Sequence, residues 1–151
     1  MRRRPLAPRR WALLACLRPL GCALPGALGL AACGASVSTA AFKGEAHAVA
    51  QTVANLQSHA TAGEESKICA QDLAHAVVAR LGGGAGCERA IKSQLDDVDN
   101  LEASVQSVTL GRGKAAGTAS AQVKSIHSGK SRLSTVALVR EGGKWKISGL
   151  G

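Results

Sequence analysis

Residues 119–147 read ASAQVKSIHSGKSRLSTVALVREGGKWKI, and the period of this stretch decides the fold. Apolar residues recur at every second place, at Ala119, Ala121 and Val123, at Val136 and Leu138, and at Trp145 and Ile147, with Ser120, Gln122 and Lys146 among the residues that alternate with them. A period of two places one set of side chains on one face of a strand. Ser128-Gly129-Lys130 and Gly142-Gly143 interrupt the pattern as turns, so three strands run through the stretch. Working toward the amino terminus, Val105 and Thr109 add a strand from Leu101 that closes at Gly111-Arg112-Gly113. Four strands joined by a few residues each pair antiparallel as a meander.

Further upstream the period becomes three to four. Ala46, Val49, Val53, Leu56 and Ala60 mark an amphipathic helix from Glu45 that ends at Gly63, with Gln51, Asn55 and Gln57 off the apolar stripe. Ile68, Leu73, Val77 and Leu81 mark a second segment over 66–81, and Ile91, Leu95 and Val98 a third over 87–98, with the Gly82–Gly86 run between them. Helices first and strands after give an α+β domain: three N-terminal helices packed on one face of a curved four-stranded antiparallel sheet.

The amino terminus assigns a compartment. Residues 1–18 are basic, Leu20–Leu30 are mostly Leu, Ala and Gly, and small residues follow, which is the layout of a secretory signal. The apolar run is too short to span a bilayer comfortably, which takes about 20 residues. Leu30-Ala31-Ala32-Cys33 resembles the lipobox of bacterial lipoproteins, in which the Cys is acylated and becomes the first residue of the mature chain. The plainer alternative leaves Cys33 as an unmodified thiol after an ordinary signal cut. The reading divides the chain into a lipoprotein signal (1–32), the lipidated Cys33 with a flexible tether (33–41), and a domain over 42–151. Arg9-Arg10 also suggests twin-arginine export, with flanks that fit it poorly.

Export changes the meaning of both charge and cysteine content. The chain carries 19 Lys+Arg against 10 Asp+Glu, a formal +9, but six of those bases lie in the first 32 residues. The 13 bases that remain face all 10 acids. With no Tyr, one Phe and two Trp, the chain has no stacking platform for nucleic acid, and no nucleic-acid partner is expected. Cys16 and Cys22 leave with the signal and Cys33 takes lipid, so Cys69 and Cys87 form an even pair outside the reducing cytosol. A disulfide is the simplest use of them, because a metal site would need more ligands than His75, the one His between them. A straight helix from Cys69 to Leu81 would advance about 18 Å, so the bridge requires that helix to break or end early.

Three helices followed by a four-stranded sheet that closes on Glu141-Gly142-Gly143-Lys144-Trp145-Lys146-Ile147 resemble the nuclear transport factor 2-like superfamily over residues 42–151. The Cys69 and Cys87 pair around a Gly-rich loop resembles small secreted or lipid-anchored actinobacterial members. The resemblance implies a cone-shaped sheet whose mouth can hold a small molecule, and a sheet-to-sheet homodimer as one mode of assembly. Isomerase-like members use a carboxylate base with Tyr and a protonated Asp. This chain has no Tyr.

Candidate chemistry is sparse. His59 and His127 read as solvent-exposed, and His47 and His75 sit beside apolar stripes. Asp72 and His75, three apart on one helix face, form the best dyad, and such pairs also occur as ordinary helix decoration. Asp96, Asp97, Asp99 and Glu102 lack the glycine and closing Glu of a calcium loop. Gly129-Lys130-Ser131 mimics the tail of a phosphate loop but joins two strands, and Gly82–Gly86 reads as a connector that could cradle an anion. Lys124, Lys130, Arg132, Arg140, Lys144 and Lys146 gather in the strand region, where, on one face, they would meet anionic headgroups. No catalytic residue, metal or cofactor is assigned. The expected function is a non-catalytic, lipid-anchored cell-envelope domain on the extracytoplasmic face. Its expected partners are the membrane, through Cys33, and a small apolar ligand or another envelope protein. An isomerase- or cyclase-type enzyme and a purely structural dimerisation module are the alternatives.

Overall fold

The computed structural model describes residues 37–96, 102–127 and 129–151. The leader, Cys33, Asp97, Val98, Asp99, Leu101 and Ser128 lie outside the described residues. The elements are α1 (Gly44–Thr61), α2 (Glu65–Lys67), a π-helical turn (Ile68–Asp72), α3 (His75–Arg80) and α4 (Gly83–Leu95), then β1 (Glu102–Leu110), β2 (Thr118–His127), β3 (Lys130–Glu141) and β4 (Lys144–Leu150). The four strands form one antiparallel sheet in the order β1-β2-β3-β4, as the period-two pattern requires.

Register explains the core. Val105 pairs with Val123, Ala121 with Val136, and Leu138 with Ile147, so these apolar side chains share the face that the helices cover. From α1, Val49, Ala50 and Val53 pack against it, with Val49 and Ala50 wholly buried. Each large aliphatic side chain so buried contributes roughly 2 kcal/mol. Val37, in the stretch read as tether, is also buried in this core, so that stretch is pinned to the domain at this residue.

Two expectations about faces are corrected. Thr109, expected to point inward, is exposed, while Val108 and Leu110 are half-buried. The register shifts between Val105 and Ser107, and the bulge exchanges the two faces of β1. Gln57, placed off the apolar stripe, is 5% exposed.

The second helical segment breaks, as the cysteine spacing demands. After the π-helical turn, Leu73 and Ala74 are extended (ψ 145° and 146°). Leu73 makes a parallel bridge to Ile147, and the Ala74 amide donates to the Ile147 carbonyl at 2.8 Å. The break thereby covers the free edge of β4. Cys69 and Cys87 lie at disulfide distance, with Cα atoms 6.1 Å apart. The glycine run is not a loop throughout, because α4 begins at Gly83. Gly86 sits against the Leu81 carbonyl with no room for a Cβ, and this close approach lets α4 turn back beside α3.

Candidate functional site

A groove of about 540 Å³ opens between α1, the π-helical turn and the β3–β4 hairpin. Its α1 wall carries His47, Gln51 and Asn55, spaced four apart and all exposed. Gln51 donates to the Asn55 carbonyl oxygen at 3.0 Å, so the amides form a ladder along the helix. Lys144 stands across the groove on the hairpin, where Gly142 (φ 56°) and Gly143 (φ 81°) supply the two left-handed residues of a two-residue turn.

The remaining wall is the end of the π-helical turn. Lys146 Nζ donates to the carbonyls of Ala70, at 3.0 Å, and Gln71, which ties β4 to that end. Trp145 is buried beneath the groove, and its Nε1 donates to Glu45 Oε2 at 2.8 Å. Glu45 Oε1 in turn accepts from Arg140 at 3.2 Å. Thr52 Oγ1 donates to the Ala48 carbonyl at 3.1 Å and lies 3.4 Å from the Trp145 carbonyl, so α1 is fixed to β4 by polar as well as apolar contacts.

Asp72 lines the groove with its side chain 3% exposed, and His59 Nδ1 approaches its Oδ2 at 2.7 Å. Burial pushes the Asp72 carboxyl above its ordinary value, and the hydrogen bond and charge of His59, with a smaller effect from Lys146, oppose that shift. The expected Asp72–His75 dyad is not formed. The break at Leu73–Ala74 turns His75 outward, where its backbone amide donates to Glu141 Oε2 at 3.0 Å. His59, expected in solvent, has its side chain 17% exposed and is the partner of Asp72 across two elements. His47 is exposed with Thr39 Oγ1 at 3.4 Å from its Nε2, and His127 falls in β2 at the hairpin.

The six bases of the strand region do not share a face. Lys124, Lys130 and Arg132 stand at the β2–β3 turn, and Arg140, Lys144 and Lys146 at the opposite end of the sheet. Gly129-Lys130-Ser131 is part of a hairpin, and Asp96 and Glu102 are exposed on either side of the residues outside the description. Local spacing carried no signal for the His59–Asp72 contact, whereas the His47, Gln51, Asn55 row was visible as the polar stripe of α1.

No protein-family model matches the chain, and no curated protein matches it significantly. Among solved structures, a designed nuclear transport factor 2-like protein aligns with 66% of this chain and 89% of its own, at 16% identity and a TM-score of 0.43.

Proposed function

We propose that the chain is an exported, lipid-anchored envelope domain of the nuclear transport factor 2-like type that binds another envelope protein without catalysing a reaction. The groove lining carries the reading: amides and ammonium groups from three elements converge on an open surface, which suits the polar backbone and side chains of a protein. An apolar small ligand is less well served, because the helix-covered face of the sheet is filled by Val49, Val53, Ile68, Leu138 and Ile147. The Leu30-Ala31-Ala32-Cys33 pattern supports the anchor, and the paired Cys69 and Cys87 support an oxidising compartment.

The test places a photocrosslinking phenylalanine at Asn55 in the full chain, with Ser93 on α4 as the control position, and irradiates cells expressing each. The expected result is a discrete protein adduct at Asn55 that is missing at Ser93. Equal labelling at both positions, or none at either, overturns the reading.

One observation favours a catalytic alternative: Asp72 faces the groove with an imidazole behind it, the arrangement of an oriented acid or base. A turnover abolished in Asp72→Asn while the fold persists would replace the binding reading with that one.

A further inference from the structure

We propose that the end of the sheet carrying the β1–β2 connection and the β3–β4 turn docks onto the surface of an anionic lipid bilayer, so that the domain sits against the membrane in one orientation. The inference rests on the lipid-anchor reading for how the domain reaches the membrane. The orientation comes from the structure.

Chain length and burial set the first constraint. Val37 is buried, and only four residue steps separate it from Cys33, a reach of about 14 Å when fully extended. Val37 lies two residues before Thr39, whose carbonyl accepts from the Phe42 amide at 3.1 Å and whose hydroxyl meets His47 in the first turn of α1. That turn is joined to the strand ends through Glu45, which holds Arg140 and Trp145. The Arg140 amide donates to the Gly117 carbonyl at 2.8 Å, which brings in the β1–β2 connection. An acyl chain on Cys33 therefore holds this end, and not the β2–β3 turn, close to the lipid headgroups.

Charge at this end supplies the second constraint. Lys43 before α1, Arg112 and Lys114 in the β1–β2 connection and Lys144 in the β3–β4 turn are all exposed. The two acids here are engaged, Glu45 with Arg140 and Trp145, and Glu141 with the His75 amide. The opposite end also carries bases, Lys124, Lys130 and Arg132, but the exposed acid Glu102 pairs in register with Ile126 on the strand beside them, so its cationic excess is the smaller. The anchored end is singled out by the short reach from Cys33 together with its four exposed bases. Ammonium and guanidinium groups held within a Debye length, about 8 Å at physiological salt, of anionic headgroups attract them strongly. Phe42 and Trp145, the aromatics beside these bases, pack into the core and offer no exposed ring, so the bases fit a sheet of headgroup phosphates better than nucleic-acid bases.

The experiment measures backbone amide exchange in the full acylated chain, reconstituted in zwitterionic vesicles and in vesicles with roughly 30% anionic lipid. Residues 111–117 and 142–146 are expected to exchange several-fold more slowly in the anionic vesicles, with residues 124–133 unchanged. Salt at about 0.5 M should remove the difference, since it screens headgroup charge. An Arg112→Glu, Lys114→Glu, Lys144→Glu variant should lose the protection yet still sediment with both vesicle types, and its retained helix and strand signal shows that it folds. Equal exchange in the two compositions, or slowing at 124–133 instead, overturns the proposal. Failure of the anchor reading looks different: the chain then fails to sediment with zwitterionic vesicles at all.

Discussion

The helical half and the sheet half of this domain are held together by different means. The sheet has strands of 7 to 12 residues paired along their lengths, with register shifts only after Val105 and at Ala137–Leu138, and its stability comes from ladder hydrogen bonds and one shared apolar face. Between α1 and β1 the described residues hold only α2 of 3 residues, a π-helical turn of 5, α3 of 6 and α4 of 13. Helices that short are marginal alone, since nucleation is unfavourable and each adds few bonds. The helical half is accordingly tied by side chains: the Cys69–Cys87 bridge, the His59–Asp72 contact and Lys146 on the end of the π-helical turn. Where local propensity is weak, covalent and polar ties take the place of length, and the groove walls are made from those tied pieces.

Cutting the bridge should weaken the domain most. Reduction, or Cys69→Ala with Cys87→Ala, should lower stability by about 3 kcal/mol for a loop of this size, read as a fall in the urea midpoint. Amide protection should be lost first over 65–95 while β2 and β3 keep theirs, because the two halves rest on different ties. Uniform loss across the domain would break the comparison.

Next in size is His59→Ala, which leaves the buried Asp72 carboxylate without its imidazole and should cost about 2 kcal/mol at neutral pH. The sign with pH follows from the raised Asp72 pKa. The folded state binds that proton more tightly than the unfolded one, so the group favours folding most below its ordinary value of 3.8, and the benefit fades as pH rises through the raised value. The cost of His59→Ala should therefore be small in acid and grow toward neutral pH in urea titrations. Asp72→Asn should flatten this acid-range dependence while keeping an oxygen for His59. A constant cost across pH would show that the contact is not governed by Asp72 ionisation.

Trp145→Phe removes the donor to Glu45 and should cost about 1 kcal/mol, read as a small fall in the urea midpoint, with β4 protection little changed. Smallest of all, Lys130→Glu and Arg132→Glu, exposed on the far hairpin, should move stability by less than about 0.5 kcal/mol.

How much could be read in advance follows the same division. The strands were legible because alternation and glycine turns are local signals, and Ala121, Val136, Leu138, Trp145 and Ile147 all lie inside as their period requires. Thr109 was misplaced because the bulge after Val105 changes phase without a compositional mark. The break in the second helix was legible from the distance two cysteines must span, but its position at Leu73–Ala74 depends on pairing with Ile147, far along the chain. That tertiary choice also turned His75 out and brought Asp72 to His59, so the Asp72–His75 dyad expected from an i,i+3 spacing could not form. The groove was half visible: the polar row on α1 is a helical pattern, whereas Lys144 and Gln71 reach it only through the fold.

Native mass spectrometry of protein isolated from membranes decides whether the domain is exported and lipid-anchored as proposed. The expected species begins at Cys33, carries the added mass of its acyl chains, lacks two hydrogens for the closed Cys69–Cys87 bridge and retains no small apolar ligand. An unacylated Cys33, or an apolar molecule that stays bound, would contradict the proposal.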